Sequence, residues 1–386
     1  MVIQSTSFEN GGAAIAAKRW ADALGLKESQ RQASTSSPNW AAKALNKIIR
    51  KLFWNDGLYY SRGPISLALM SQDSPVASGS YFTHWVQNDF ISLPKLRRQS
   101  TKTIWYMHDE WLIRGVGHYR ADYEMSINLP LRTRVLEILV RKWKFHFLIT
   151  GARGVCVPSN WLKEELIHSG LLSNRIEVIP NPIPNHFFYP PQKNIARKKL
   201  NISESEKLIL VVASSNIHDR RKGIDLILPT IEEYIRRFGG VFLVSVGIDG
   251  LNLETPGLVH KSWEYVNSED ELILLYAAAD VLFAPSRLDN LPQVITEAQA
   301  VGLPVVAFDV GGIRDAILFL GESAKLIQPY SVSDAAMALS HFCNHSEEID
   351  RGTWVDEALK RWSYESVSRS FADYYGSLNP SGLKAP

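Results

Sequence analysis

The chain has few cysteines and lacks long apolar runs. Cys156 and Cys343 are the only cysteines among 386 residues, too few for a disulfide framework, and their apolar neighbours predict buried free thiols. No run of 18 or more apolar residues occurs, so the sequence predicts no membrane-spanning helix. The first residues, MVIQSTSFENGG, show no basic region followed by an apolar one, which predicts no export signal. These absences favour a cytoplasmic protein.

Charge is distributed unevenly, although the formal net charge is only +2. Residues 1–185 contain 23 lysines and arginines against 14 acidic residues, whereas residues 186–386 contain 19 against 26. A basic half joined to an acidic half indicates that the first half meets something anionic. Nucleic acid, an anionic membrane surface and a lipid phosphate are the candidates.

The second half of the sequence alternates apolar runs with helical patterns. Strands are predicted at 207–215, 240–247, 279–286, 304–309 and 324–329, and helices at 223–238, 269–278, 291–301 and 312–319. Almost wholly apolar strands separated by helices predict a parallel sheet covered on both faces. The ligand crevice of such a doubly wound domain lies at the carboxyl ends of its strands.

The first half alternates less regularly. Strands are predicted at 2–6, 102–107, 154–159 and 175–180, and helices at 13–24 and 160–169. The proline-dense segment 179–191 is the predicted linker. It separates an N-terminal domain, residues 1–185, from a C-terminal domain, residues 186–360. The aromatic residues of a final helix, predicted at 361–378, need a surface to cover.

Two acidic residues, Asp289 and Glu297, stand eight positions apart where a predicted strand gives way to a helix. The helix is expected to begin near Asn290, with Gln293 completing a capping box. Such a start, at Asn290 and Leu291, offers backbone N–H groups and partial positive charge to an anion. Glu297 lies among apolar residues and needs hydrogen-bond partners, which a sugar diol would supply. The alternative is a capping acid followed by a half-buried structural glutamate.

Three consecutive cations, Arg220, Arg221 and Lys222, follow the strand predicted at 207–215. A loop at the carboxyl end of a strand is well placed to hold a diphosphate. Fixed cations there favour a transition state in which a leaving diphosphate gains negative charge. A solvated basic loop without a ligand is the alternative.

Two further features lie in the first half. His108 follows the strand predicted at 102–107, so its side chain is expected to point into a crevice. Gly11 and Gly12 separate the first predicted strand from the first helix, where glycines let a phosphate or sugar approach the backbone. The pair is equally consistent with an ordinary turn.

The spacing of Asp289 and Glu297, followed by GLPVVAFDVGGIRD, resembles the donor-site signature of the family 4 retaining glycosyltransferases. The segment HDEW at 108–111 with GVGHY at 115–119 resembles the branch of that family that assembles exopolysaccharide and O-antigen. The resemblance covers nearly the whole chain. It implies the α/β GT-B fold, with two Rossmann-like doubly wound domains facing each other across a cleft and the final helix packed back on the N-terminal domain.

The resemblance also implies roles on the donor side. Glu297 would clamp the nucleotide ribose, Lys222 and Arg221 would hold the diphosphate, and Asp289 with the backbone of 290–291 would meet the donor sugar. The family usually has Glu where this chain has Asp289 and places its Arg several residues before the Lys. On the other side, His108 would face the transferred sugar, and Gly11 with Gly12 would form the N-terminal glycine loop. His108, Asp289 and Glu297 are the candidate catalytic residues.

The sequence contains no Asp-x-Asp motif, and Asp122-Tyr-Glu124 is the nearest approach to one. Its absence favours a site without metal or other cofactor, in which arginine and lysine neutralise the diphosphate. Because no carboxylate is an obvious nucleophile, retention implies a front-face route in which the leaving phosphate assists the acceptor hydroxyl.

The segment 40–54 has the pattern of a basic amphipathic helix with a tryptophan at each end. Such a helix can lie on an anionic membrane, and the alternative is a core helix whose solvated face is basic. Further cations that would extend the same surface are Arg132, Arg134, Arg141, Lys142 and Lys144. With a lipid-linked acceptor, the basic half predicts peripheral contact with the inner face of the membrane.

The sequence thus predicts a retaining, metal-independent glycosyltransferase that moves a sugar from a nucleotide-sugar donor to a glycan or lipid-linked acceptor in polysaccharide biosynthesis. A nucleotide-sugar epimerase on the same fold would need an acid/base pair beside the sugar, and none is evident. A binding protein that has lost turnover is favoured only by Asp289 and the displaced arginine. A nucleic-acid binder would explain the basic half but neither the acidic half nor the paired acids, so no nucleic-acid partner is expected.

Overall fold

The computed structural model describes residues 1–5, 8, 11–33, 79–86, 91, 93–115, 117–120, 131–215, 220–248, 253–263, 266, 268–345 and 351–378. The chain divides into two compact units, one of Met1–Asn181 with Val367–Pro386 and the other of Pro182–Ser366. The helix predicted at 40–54 lies outside the described residues.

Strands and helices alternate along the described residues. The strands are β1 (Val2–Gln4), β2 (Arg31–Gln32), β3 (Tyr81–Thr83), β4 (Thr103–Tyr106), β5 (Gly154–Val157), β6 (Ile176–Val178), β7 (Leu208–Ser215), β8 (Val241–Ile248), β9 (Leu258–Trp263), β10 (Val281–Ala284), β11 (Val305–Phe308) and β12 (Ala324–Ile327). The α-helices are α1 (Gly12–Ala23), α2 (Leu93–Gln99), α3 (Leu131–Lys144), α4 (Asn160–His168), α5 (Lys193–Leu200), α6 (Ile227–Phe238), α7 (Glu269–Ala278), α8 (Gln293–Ala300), α9 (Val332–His345), α10 (Arg351–Trp362) and α11 (Tyr364–Ser377).

The first unit is built on a parallel sheet with the strand order β2-β1-β3-β4-β5-β6. The strands predicted at 2–6, 102–107, 154–159 and 175–180 are confirmed as β1, β4, β5 and β6, with shorter ends. The sequence does not predict β2 and β3. Strands of two and three residues are too short to show a strand period in the sequence.

The last described helix, α11, packs on this first sheet. Trp20 of α1 lies edge-on to Phe82 of β3, with 5.2 Å between ring centroids, and to Phe371 of α11, at 5.6 Å. The hydroxyl of Tyr374 in α11 accepts a hydrogen bond from the backbone N–H of Val155, 3.0 Å away. The aromatic residues of α11 therefore pack against α1 and the first sheet. The helix begins at Tyr364, three residues later than predicted.

The second unit has a parallel sheet with the strand order β12-β11-β10-β7-β8-β9. Separate apolar clusters pack against it, and β10 and β11 are buried along their whole length. The predicted parallel sheet covered on both faces is confirmed. The sequence misses β9, because this edge strand, LVHKSW, is half-buried to exposed along its length and shows no continuous apolar run.

Two helices of the second unit differ from the prediction. The helix expected near Asn290 begins at Gln293, and its N-cap is Pro292 without a side-chain cap, so the predicted capping box is wrong. Proline disfavours the helical conformation of the residue before it, here Leu291, which explains the later start. The helix expected at 312–319 is only a 3₁₀ turn, Ile313–Ala316.

Cys156 and Cys343 are buried free thiols, as predicted. Burial raises the pKa of the Cys156 thiol well above its usual value and that of Cys343 to about 12. Both thiols therefore stay protonated and unreactive. Across the described ranges, no helix combines the length and the apolar character needed to cross a membrane.

Candidate nucleotide-sugar site

Three loops of the second unit leave the carboxyl ends of neighbouring strands, β7, β10 and β11. The first carries the 3₁₀ turn Arg220–Lys222, and residues 216–219 before it lie outside the described residues. The second loop carries Asp289 and leads into α8, which contains Glu297. The donor-side residues predicted from the sequence therefore lie at one end of one sheet, where doubly wound domains bind ligands.

Lys222 and Asp289 join the first two loops. Nζ of Lys222 lies 2.7 Å from Oδ2 of Asp289, and both side chains are partly buried. The next residue, Gly223, has φ +61°, and a Cβ there would lie 2.0 Å from the carbonyl oxygen of Pro285. Only glycine allows this approach. The sequence identifies Lys222, Gly223 and Asp289 but not the contact between the loops.

The backbone of Asp289 is held by the third loop. Its carbonyl oxygen accepts a hydrogen bond from the N–H of Gly312, 2.9 Å away. A Cβ on Gly311, where φ is +55°, would lie 2.3 Å from the same oxygen. The two glycines thus fix the position of Asp289. The sequence motif contains them, but only the fold shows what they touch.

Asn290 and Leu291 lie ahead of α8 rather than in its first turn. The N–H of Asn290 donates to Oδ1 of Asp289, 2.9 Å away. The side chains of Asn290 and Leu291 are buried. An anion at this loop therefore has to compete with Asp289 for the N–H of Asn290.

Glu297 is only 4% exposed, and the hydroxyl of Tyr276 in α7 donates to its Oε2 over 2.9 Å. A buried carboxylate needs such a partner. The sequence predicts that Glu297 needs hydrogen-bond partners but does not identify Tyr276, because nothing in the apolar sequence of α7 sets this residue apart. The Tyr276 hydroxyl therefore already supplies one of the hydrogen bonds to Glu297 that a sugar diol was expected to supply.

In the first unit, His108 follows β4 and is half-buried. Its Nε2 lies 3.0 Å from Nδ1 of His84, which follows β3. Burial lowers the pKa of His108 to about 4, so the imidazole is neutral at neutral pH. Both histidines line a cavity of about 20 Å³ together with Trp85 and Trp111. Nothing in the sequence singles out His84.

Asp109 and His118 connect the two halves of the motif around His108. Oδ2 of Asp109 lies 2.6 Å from Nδ1 of His118, and the ring of His118 stacks on Trp85 with centroids 4.8 Å apart. Burial opposes ionisation of Asp109, but the neighbouring His118 and its hydrogen bonds hold the pKa of Asp109 below its usual value. Asp109 therefore remains ionised and holds His118 against Trp85, which lines the cavity.

Lys144 does not belong to the predicted basic surface. It is buried, its Nζ donates to the carbonyl oxygen of Trp111, and it lies 4.0 Å from the centre of the Trp111 ring. Burial lowers its pKa to about 7. Of the other cations named with it, Arg134, Arg141 and Lys142 are exposed, and the side chain of Arg132 lies outside the described residues.

Gly11 and Gly12 are exposed and lie at the start of α1. Gly11 has φ +92°, and its carbonyl oxygen accepts from the N–H groups of Ala14 and Ile15 at 3.0 Å. The pair is thus a helix start that requires glycine at the first position. Among the residues that the structure describes, no group of three or more histidine, cysteine, aspartate or glutamate side chains could hold a metal ion.

Part of the second unit matches a known family. Residues 206–345 match the family described as Glycosyl transferases group 1. A D-inositol 3-phosphate glycosyltransferase of Corynebacterium urealyticum is 28% identical over 198 residues, which are 47% of this chain and 46% of that protein. A protein of the same name from Segniliparus rotundus is 30% identical over 154 residues, 37% of this chain and 34% of that protein. The chain spans less than half the length of these curated relatives.

Solved structures resemble the chain over its whole length. Anabaena HepE in complex with UDP has a TM-score of 0.64 at 13% identity and covers 98% of this chain and 100% of its own. Sucrose-phosphate synthase from Thermosynechococcus elongatus has a TM-score of 0.61 at 17% identity and covers 99% of both chains. At such identities the likeness shows the fold, which is the two-domain, Rossmann-like GT-B fold. Residues 206–345 are therefore a Glycosyl transferases group 1 domain, and this match, the glycosyltransferase relatives and the GT-B fold of the neighbours together support a family 4 glycosyltransferase.

Proposed function

We propose that this chain is a retaining, metal-independent glycosyltransferase that moves a sugar from a nucleotide-sugar donor to a glycan or lipid-linked acceptor in polysaccharide biosynthesis. The observation that carries the proposal is the grouping of Lys222, Asp289 and Glu297 on the loops after β7 and β10 and on α8. All three lie within the residues that match the family. Complexes of Anabaena HepE with UDP and with UDP-glucose support a nucleotide-sugar donor.

Lys222 and Arg221 are proposed to hold the donor diphosphate. The contact with Asp289 keeps the ammonium group of Lys222 at the carboxyl end of β10, where a diphosphate would replace or share that carboxylate. As the bond to the sugar breaks, the leaving diphosphate gains negative charge. A cation that is already in place stabilises this charge without further reorganisation.

Asp289 and Glu297 are proposed to bind the sugar parts of the donor. Asp289 is positioned through its backbone by Gly312 and through its carboxylate by Lys222, so it can accept from a donor-sugar hydroxyl at a fixed point. Glu297 is proposed to accept from the ribose hydroxyls, with Tyr276 orienting its carboxylate. Each hydrogen bond to a charged group contributes about 1.5–3 kcal/mol.

We also propose a front-face route for the transfer. The diphosphate oxygen released from the donor takes the proton of the acceptor hydroxyl, which attacks the same face of the sugar and so keeps its configuration. His108 stays neutral at neutral pH, because its pKa is about 4, and it contributes one N–H and one lone pair rather than a charge. Gly11 and Gly12 are proposed to let the acceptor approach the backbone at the start of α1.

The proposal is tested by mixing the purified chain with UDP-, GDP- and ADP-sugars and candidate acceptors in the presence of EDTA. We expect release of one nucleotide together with a glycoside whose anomeric configuration matches that of the donor. Inverted product would contradict the mechanism, and activity that requires added metal would contradict metal independence. A donor sugar that changes configuration without any acceptor would support the epimerase instead.

A membrane-facing surface on α3 is part of the same proposal. Four aliphatic side chains on one face are exposed by 44–76%: Leu131, Val135, Ile138 and Leu139. Their spacing of four, seven and eight residues places them in one stripe. The exposed Arg134 and Arg141 flank the stripe, and Lys142 lies at its end. Apolar side chains bordered by cations match the surface of an anionic bilayer, as expected for an enzyme on the inner face of a membrane.

Vesicle sedimentation tests this surface. We expect the full chain to sediment with vesicles containing phosphatidylglycerol, less with pure phosphatidylcholine, and less at high salt. Leu139→Glu should abolish the binding, whereas Met337→Glu, at an exposed position of the second unit, should not. Equal binding by wild type and Leu139→Glu would rule out α3 as the membrane surface.

A further inference from the structure

His84 and His108 stand side by side at the carboxyl ends of β3 and β4. The two strands are parallel neighbours in which Thr83 pairs with Trp105. Nδ1 of His84 lies 3.0 Å from Nε2 of His108, and the two rings are tilted by 38°. One of these nitrogens must carry the proton in the contact, and the other must accept it.

Both imidazoles are neutral. His84 is only 6% exposed and packs against the ring of Tyr106, at 5.0 Å between centroids, and the ring of Phe82, at 4.5 Å. Burial lowers the pKa of His84 well below its usual value and lowers the pKa of His108 to about 4. Each ring therefore has a single N–H, and only two proton arrangements are compatible with the contact.

The two arrangements differ in what they bury. If His108 donates from Nε2, the proton of His84 lies on its own Nε2, which is buried and has no partner in the described part of the chain. If His84 donates from Nδ1, its buried Nε2 carries a lone pair and no proton. A buried N–H without an acceptor is rarer than an acceptor without a donor.

We propose that His84 is a positioning residue that fixes His108 as the tautomer protonated on Nδ1. The lone pair on Nε2 of His108 accepts from His84, so His108 acts as a hydrogen-bond donor through Nδ1 and offers no base at Nε2. The partner of one ring nitrogen decides where the other carries its proton. The consequence for catalysis rests on the proposed function: if His108 meets the transferred sugar, it donates to a sugar oxygen.

Nitrogen chemical shifts of the full chain, labelled isotopically at histidine, test the tautomer directly, because a protonated ring nitrogen resonates far from a bare one. The signals of His108 are assigned by their loss in His108→Gln. We expect wild-type His108 to carry its proton on Nδ1, and His84→Leu to shift proton occupancy towards Nε2. A wild-type His108 protonated on Nε2 would overturn the proposal, whether or not the chain transfers sugar.

The kcat of two variants distinguishes a positioning role of His84 from a role in packing alone. Asparagine at position 84 can place an amide N–H near the site of the imidazole Nδ1, whereas leucine cannot. We expect His84→Asn to keep kcat within about threefold of wild type and His84→Leu to lower it roughly tenfold, with the nucleotide-sugar KM unchanged in both.

Equal loss of kcat in His84→Asn and His84→Leu, with normal nucleotide binding, would contradict the positioning role. If His84→Leu does not fold, the wild-type spectrum and His84→Asn still decide the question. If wild type transfers no sugar to any acceptor, the proposed function fails, while the chemical shifts still establish or exclude the tautomer.

Discussion

Nζ of Lys222 lies 2.7 Å from Oδ2 of Asp289, and this ion pair connects the loop after β7 to the loop after β10. The pair is partly buried, with side-chain exposures of 32% and 14%. Asp289 is in turn held through its carbonyl oxygen by the N–H of Gly312. The proposed donor site is therefore positioned by contacts between loops that are far apart in the sequence.

Replacing Lys222 with methionine should weaken the binding of a nucleoside diphosphate roughly ten- to hundredfold, because a charged hydrogen bond worth about 1.5–3 kcal/mol is lost. Calorimetric titration measures the change. Lys198→Met, which removes an exposed charge from α5 of the same unit, is the control and should bind as wild type does. Unchanged binding by Lys222→Met would show that Lys222 serves the ion pair alone.

Gly311→Ala should destabilise the second unit by about 1–3 kcal/mol and weaken nucleotide binding. Its Cβ would lie 2.3 Å from the carbonyl oxygen of Asp289. Gly321→Ala is the matched control, because Gly321 also has positive φ, +95°, but has nothing within 4 Å of the added Cβ. Urea unfolding and nucleotide titration of both variants make the comparison. Equal effects of the two substitutions would mean that the lost stability comes from positive φ alone and not from the contact of position 311 with Asp289.

Tyr276→Phe should lower the free energy of unfolding by about 1–3 kcal/mol, because Glu297 loses a buried donor. Nucleotide binding should fall as well, since Glu297 is proposed to hold the ribose. The control is Tyr189→Phe in the same unit, which removes the hydroxyl of a residue that is 74% exposed. Its removal should change stability little. If both variants behave alike, the contact between Tyr276 and Glu297 contributes nothing measurable.

The sequence anticipates the second unit better than the first, for physical reasons. β10 and β11 are apolar along their whole length and stand out in the sequence, whereas β9 is an edge strand without a continuous apolar run. The start of α8 is misjudged because the conformational effect of Pro292 outweighs a capping pattern. Motif spacing identifies candidate site residues, but it does not identify the residues that they contact.

The contacts within the candidate site depend on the tertiary fold. Glu297 could be recognised as a buried acid, but its partner Tyr276 comes from another helix 21 residues earlier. His84 follows a strand of three residues and carries no spacing signal that links it to His108. Lys144 is basic in the sequence, yet the packing of α3 places its ammonium group over the ring of Trp111.

Lys144 predicts a pH dependence of stability. Burial lowers its pKa to about 7, below the usual 10.5, so between these values the folded chain has released a proton that the unfolded chain still binds. The free energy of unfolding should therefore rise with pH from about 7 to 10.5 because of this group. Relative to wild type, Lys144→Met should lose that rise, and the exposed control Lys142→Met should keep it. Parallel stability profiles for wild type and Lys144→Met would contradict the assignment.

The measurement that tests the central claim most directly is calorimetric titration of UDP, GDP and ADP into wild type and Glu297→Ala, with EDTA present. Glu322→Ala, an exposed acid of the same unit, is the control. We predict that one nucleotide binds wild type and Glu322→Ala without metal and that Glu297→Ala loses this binding. If no nucleotide binds, or if Glu297→Ala binds as tightly as wild type, the proposed donor site is wrong.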